Sequence, residues 1–241
     1  MWGSFVFVLG VLGFVSVLDF KMRGVSNWVW VLAYPVGGML TLLGVGVGLV
    51  DRGVVLVSLL VGLFLGLGLF CSGFYGSADT KAIVFLGLVL PVVSVTFNPA
   101  WGVLGLPLVL VVFCSSTLLS LVWPLSIFVL NLKDILERKF LFDGFQLTPR
   151  QKVWLLFTAR RIPLTKLGVR YFPAETITVH DATGKPTKKL LHFVKAETKL
   201  DKYIANIAKH HKLYPNGVLA SPTIPTLIFF TLALATIPLY T

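Results

Sequence analysis

The feature that most constrains this chain is a succession of apolar runs, each close to the length of a bilayer-crossing helix. They cover Trp2 to Leu18 (continuing toward Phe20), Trp28 to Val50, and Val54 to Phe70. Three more run from after Lys81 to near Phe97, from Trp101 to about Leu130, and from about Pro222 to Tyr240. About 20 mostly apolar residues in a helix cross the hydrocarbon layer. Inside that layer every backbone N–H and C=O needs an internal partner, which a helix supplies. The expected fold class is therefore membrane all-α: six transmembrane helices, with a small α+β cytoplasmic domain inserted between helices 5 and 6. The expected division is 1–130 as a five-helix transmembrane region, 131–218 as a basic soluble domain, and 219–241 as the sixth transmembrane helix.

Charge supports this division. Only 13% of the 241 residues are charged, against roughly 25% in soluble domains, and mean hydropathy is +0.88. Residues 131–218 hold 17 of the 21 Lys and Arg and 7 of the 10 Asp and Glu, a net charge of +10. Basic residues favour the odd-numbered connections, starting with Lys21 and Arg23. The positive-inside rule assigns those connections to the cytoplasm. Within the insert, Thr148-Pro149 reads as an N-cap followed by Pro at the first helical position, opening a helix to about Arg161. Glu175 to His180 and Lys189 to Lys195 read as two strands around a turn. Thr198 to Lys212 reads as an amphipathic helix. A basic surface of this kind suits anionic lipid headgroups; nucleic acid is not an expected partner.

Glycines crowd the second and third runs, including Gly62-x-x-x-Gly66. That spacing lets membrane helices approach closely. Cys71 and Cys114 lie in apolar runs without ligand-type neighbours and read as small buried hydrophobes. His180, His192, His210 and His211 all lie in the insert, with no metal-ligand spacing to acids or cysteines. The sequence thus implies no metal and no cofactor. The membrane body contains no histidine, so a serine triad cannot be assembled there.

An ionisable residue in a membrane body is a candidate for chemistry, and there are three acids: Asp19, Asp51 and Asp79. Asp51 sits beside Arg52 in a short connection and reads as a solvated loop residue. Asp19 falls where the first helix meets the cytoplasmic face, and Asp79 where the fourth helix begins at the same face. An N-cap role competes for Asp79, and pairing with Lys21 or Arg23 competes for Asp19. Two carboxylates at short range titrate as a unit. One can then act as general base on water and the other as general acid toward a leaving amine.

These residues carry a resemblance to a known family. Asp19-Phe-Lys-Met-Arg23-Gly-Val-Ser-Asn27 resembles the first motif of type IV prepilin peptidases, with Ser26 where the family often has Pro. Gly76-Ser-Ala78-Asp79-Thr-Lys81 resembles the Gly-x-Gly-Asp motif followed by Lys, with Ala78 in place of the second glycine. The layout most resembles the archaeal preflagellin (prearchaellin) peptidases, a branch of the GxGD aspartic membrane proteases. The proline-rich stretch Ser221-Pro-Thr-Ile-Pro225 before the last helix adds to the likeness. The resemblance implies an aspartic endopeptidase of the plasma membrane that removes class III signal peptides from prearchaellins and type IV-like prepilins at the cytoplasmic membrane edge. Asp19 and Asp79 would be catalytic, with Arg23, Asn27, Gly76, Ala78 and Lys81 in support.

Two other classes fit the composition. A protease of the signal-peptide-peptidase or presenilin type would share only the Gly-x-Gly-Asp idea, with acids deeper in the bilayer. A non-enzymatic transporter or assembly protein would use the two acids for ion or helix contacts; inverted repeats would mark a transporter, and none is visible.

Overall fold

In the computed structural model, described for residues 2–91, 93–95, 104–137, 142, 145, 147–168, 170–179, 186–191 and 200–237, the chain forms two compact units. One comprises residues 1–120 and 225–241, the other residues 121–224.

The first unit is helical: α1 (Trp2–Met22), α2 (Asn27–Gly46), α3 (Arg52–Ser72), α4 (Ser77–Val89), α5 (Leu108–Ser120) and α9 (Thr226–Thr236). Among the described residues, four helical segments are long and apolar enough to cross a membrane: α1, α2, α3 and the stretch Leu108–Leu136. Of the six expected spans, those after Lys81 and after Pro222 are shorter helices among the described residues. The run expected to continue to near Phe97 ends as a helix at Val89, before Pro91. A short antiparallel hairpin follows, β1 (Val93–Val95) with β2 (Leu104–Leu106). Apolar β-branched residues such as Val93 and Val95 serve strand and helix alike, so hydropathy does not separate the two. At 13 residues α4 is about 20 Å long, short of a bilayer core of about 30 Å. The last helix has 11 described residues; the expected extension to Tyr240 lies outside the described residues.

Short α4 is the hub of this unit. Ala82, Ile83, Phe85, Leu86 and Val89 are all buried, so the helix is covered on every side. It packs against α1, α2, α3, α5 and α9. The tightest backbone approach is to α3. A Cβ on Gly87 would stand 2.7 Å from the Ser58 carbonyl oxygen, and one on Gly62 3.2 Å from that of Ile83. The Gly62-x-x-x-Gly66 spacing is thus a helix-packing device. In α9, Leu227, Phe230, Ala233 and Leu234 complete the core. Cys71 and Cys114, expected in the interior, lie exposed on the outer surface of the chain, because the packed faces of α3 and α5 are those of Gly62 and Val112.

Among its described residues the second unit contains α6 (Val122–Leu136), α7 (Pro149–Thr158), α8 (Leu200–Lys209) and five strands. The strands β3 (Arg160–Ile162), β7 (Val218–Pro222) and β4 (Tyr171–Pro173) form an antiparallel sheet with β7 in the centre. The strands β5 (Glu175–Val179) and β6 (Pro186–Leu190) form a hairpin. Thr148 caps α7 as expected, in a reciprocal capping box with Gln151. That helix stops at Thr158 instead of Arg161, because Arg160 pairs with Ala220 in the sheet. The second hairpin strand begins three residues earlier than expected, with Glu175 opposite Leu190. His180 and His192 lie outside the described residues.

Candidate functional site

Asp19 lies one turn before the end of α1 and is half-buried. The Arg23 N–H donates to the Asp19 carbonyl at 2.9 Å, closing the last turn. Arg23 itself adopts φ +53°, the one left-handed non-glycine backbone among the described residues. That conformation costs an L-residue roughly 1–2 kcal/mol, and strain of this kind collects at functional positions. The Arg23 guanidinium lies within charge-interaction range of the Asp19 carboxylate, with its Nε and Nη1 buried.

Asp79 is the third residue of α4. Its Oδ2 accepts the N–H of Gly76, the N-cap, at 3.2 Å. The capping role weighed for Asp79 is therefore present, but it uses only one oxygen. The other, Oδ1, accepts the hydroxyl of Thr226 from the first turn of α9. Gly76 has φ −78°, which any residue adopts; what it supplies is a backbone donor. Ala78 is half-buried against the core of the helical unit.

Asp19 and Asp79 lie within charge-interaction range of each other. Among the described residues they share no hydrogen bond. Both helices that carry them are also tied to α9 by hydroxyls: Thr226 to Asp79, and Thr231 to Ser16 at 2.7 Å. In apolar surroundings such polar contacts between helices typically contribute ~0.6–2 kcal/mol each.

Lys81 and Asn27, the outlying residues of the two motifs, meet directly. Lys81 Nζ donates to Asn27 Oδ1 at 2.6 Å, and the Tyr34 hydroxyl donates to the Lys81 carbonyl at 2.9 Å. Together they fasten the start of α2 to α4. Asp51 is exposed and caps α3, its Oδ1 accepting the N–H groups of Gly53 and Val54. It takes no part with the other two acids.

Thr226 is the residue that sequence reasoning missed. Its local signal is weak: a hydroxyl after Pro225, at the start of an apolar run. Among the described residues no group of three or more His, Cys, Asp or Glu gathers to hold a metal ion.

No family model matches the chain, and no curated protein matches it. The fold therefore defines a class only: a multi-spanning α-helical membrane protein with a small mixed α/β unit inserted among its helices.

Proposed function

We propose that this protein is a membrane aspartic endopeptidase of the prepilin and preflagellin peptidase type, with Asp19 and Asp79 as its catalytic pair. The observation that supports this reading is the placement of two acids in one helical unit, Asp79 at the start of α4 with both oxygens held by Gly76 and Thr226 and Asp19 near the end of α1, which packs on α4; they are the only acids of the apolar body apart from Asp51. In the proposed reaction one carboxylate takes a proton from water as it attacks the scissile carbonyl. The other donates a hydrogen bond to that carbonyl and then protonates the leaving amine. The substrates are prearchaellins or type IV-like prepilins, whose class III signal peptides are cut just before a hydrophobic helix. Residues Lys21 and Arg23, on the same end of α1 as Asp19, support placing that end and the site at the cytoplasmic face.

Purified protein in lipid, mixed with a prearchaellin, tests the reading. Asp19→Asn and Asp79→Asn should each lower cleavage by at least ~10²-fold while the melting profile is kept. Full cleavage by the double Asn variant would sink the aspartic mechanism.

A further inference from the structure

The second unit contains a feature that the proposed chemistry does not use. Helix α7 has a buried side, on which Leu155 packs with Ala159, Ala174 and Leu219. Its opposite side is outward and has an unusual makeup for a water-facing surface. Trp154 is 65% exposed and Val153 57% exposed. Arg150 is exposed beside them, Lys152 is exposed on another side, and the helix contains no acid. Arg150, Val153 and Trp154 stand at i, i+3 and i+4, so they share one face.

The position of α7 gives this face its meaning. The stretch Leu108–Leu136 is long and apolar enough to cross a membrane, and its charged residues, Lys133 and Asp134, lie at its C-terminal end. Helix α7 is fastened to that charged end of α6. Phe157 stacks on Phe128 with ring centroids 4.6 Å apart and planes 7° apart. Asn131 Nδ2 donates to the carbonyls of Leu156 and Ala159 at 2.9 and 2.7 Å. Arg160, two residues beyond α7, is paired with Asp134 through two contacts of 3.0 Å. These contacts hold α7 beside the charged end of an apolar helix.

We infer that the Arg150–Val153–Trp154 face of α7 is a membrane anchor that seats in the headgroup layer of an anionic leaflet. Tryptophan is favoured at that depth, where its ring meets both apolar and polar surroundings. Arg150 on this face meets the lipid phosphates, Lys152 adds positive charge on a neighbouring side of the helix, and the net +10 of residues 131–218 favours an anionic over a neutral surface. The apolar side chains Leu132, Ile135 and Leu136 at the charged end of α6 are also exposed, in keeping with lipid contact there. The anchor does not depend on the proposed peptidase chemistry.

The full chain, with Cys71 and Cys114 replaced by Ser, is reconstituted one copy per nanodisc and carries a spin label at Val153→Cys. Oxygen and a water-soluble nickel chelate are used as relaxing agents. In phosphatidylglycerol-containing discs the label should relax more with oxygen than with the chelate. Arg150→Gln with Lys152→Gln should shift that ratio toward the chelate. A label that favours the chelate in both anionic and neutral discs would overturn the anchor. A ratio that is equal in the two lipids, and unchanged by the Gln pair, would overturn the anionic requirement. Peptidase activity is read separately on the unlabelled chain, so failure of either idea leaves the other distinguishable.

Discussion

At the residue scale, the two acids sit in different surroundings. Asp79 is held through both oxygens, by Gly76 and Thr226, whereas Asp19 has a guanidinium within charge range. Thr226 is the most informative position to change. Under the proposed reaction Thr226→Val should lower kcat at least roughly tenfold, as expected for one lost hydrogen bond of about 1.5–3 kcal/mol to a charged group. Thr226→Ser should restore most of it. A Thr226→Val enzyme with unchanged kcat would remove Thr226 from the site. Arg23 allows a separate backbone test. At φ +53° a glycine is at ease and an alanine is not. Arg23→Gly should therefore be more stable than Arg23→Ala by about 1 kcal/mol, read as a higher melting temperature. Asp19 and Asp79 could be singled out in the sequence because carboxylates are scarce in apolar runs. Thr226 could not, because hydroxyls are common at helix starts.

At the element scale, the contact of α3 with α4 sets the position of Asp79. Gly87 faces the Ser58 carbonyl so closely that a methyl group must push the helices apart. Gly87→Ala should destabilise the helical unit by about 1–3 kcal/mol. Gly68→Ala, with open space around its would-be Cβ, should be close to neutral. Thermal unfolding in detergent compares the two, and equal losses would contradict the close-packing account. Glycine spacing in α3 was legible in the sequence. The end of α4 at Val89 was not, since the apolar pattern runs on through Val93 and Val95 and only Pro91 interrupts it. In the second unit the N-cap at Thr148 was legible because Thr followed by Pro is a signal between adjacent residues; its reciprocal partner Gln151 was not part of that signal. The central strand β7 was not, because both its partners are recruited from more than 40 residues away.

At the scale of the whole molecule, the two units rest on different physics and should respond to different perturbations. The helical unit contains few titratable groups, while the second unit buries Glu175 together with Tyr214. Glu175 accepts the Leu219 N–H at 2.6 Å. Burial first, and the Glu175 charge second, hold the Tyr214 phenol above its ordinary value of 10.0. A raised folded-state value means that this contribution is fully present below pH 10 and is lost as pH rises further. Denaturant stability should therefore fall above about pH 10, and less steeply in Tyr214→Phe. Identical pH slopes for the two proteins would show that Tyr214 does not ionise on unfolding.

Long apolar runs with few charges determine by themselves that this chain belongs in a membrane, and that a basic polar insert interrupts its helices. They also determine which acids invite attention, since a carboxylate is conspicuous wherever water is scarce. Tertiary structure alone decided that short α4 lies at the centre of the bundle, and that Lys81 meets Asn27. It also decided that Asp79 takes its second donor from Thr226, 147 residues further along the chain. The physical reason is range. Hydropathy and capping act over a few residues and are written locally. Pairings between distant side chains depend on how several helices pack at once, and no local spacing encodes them.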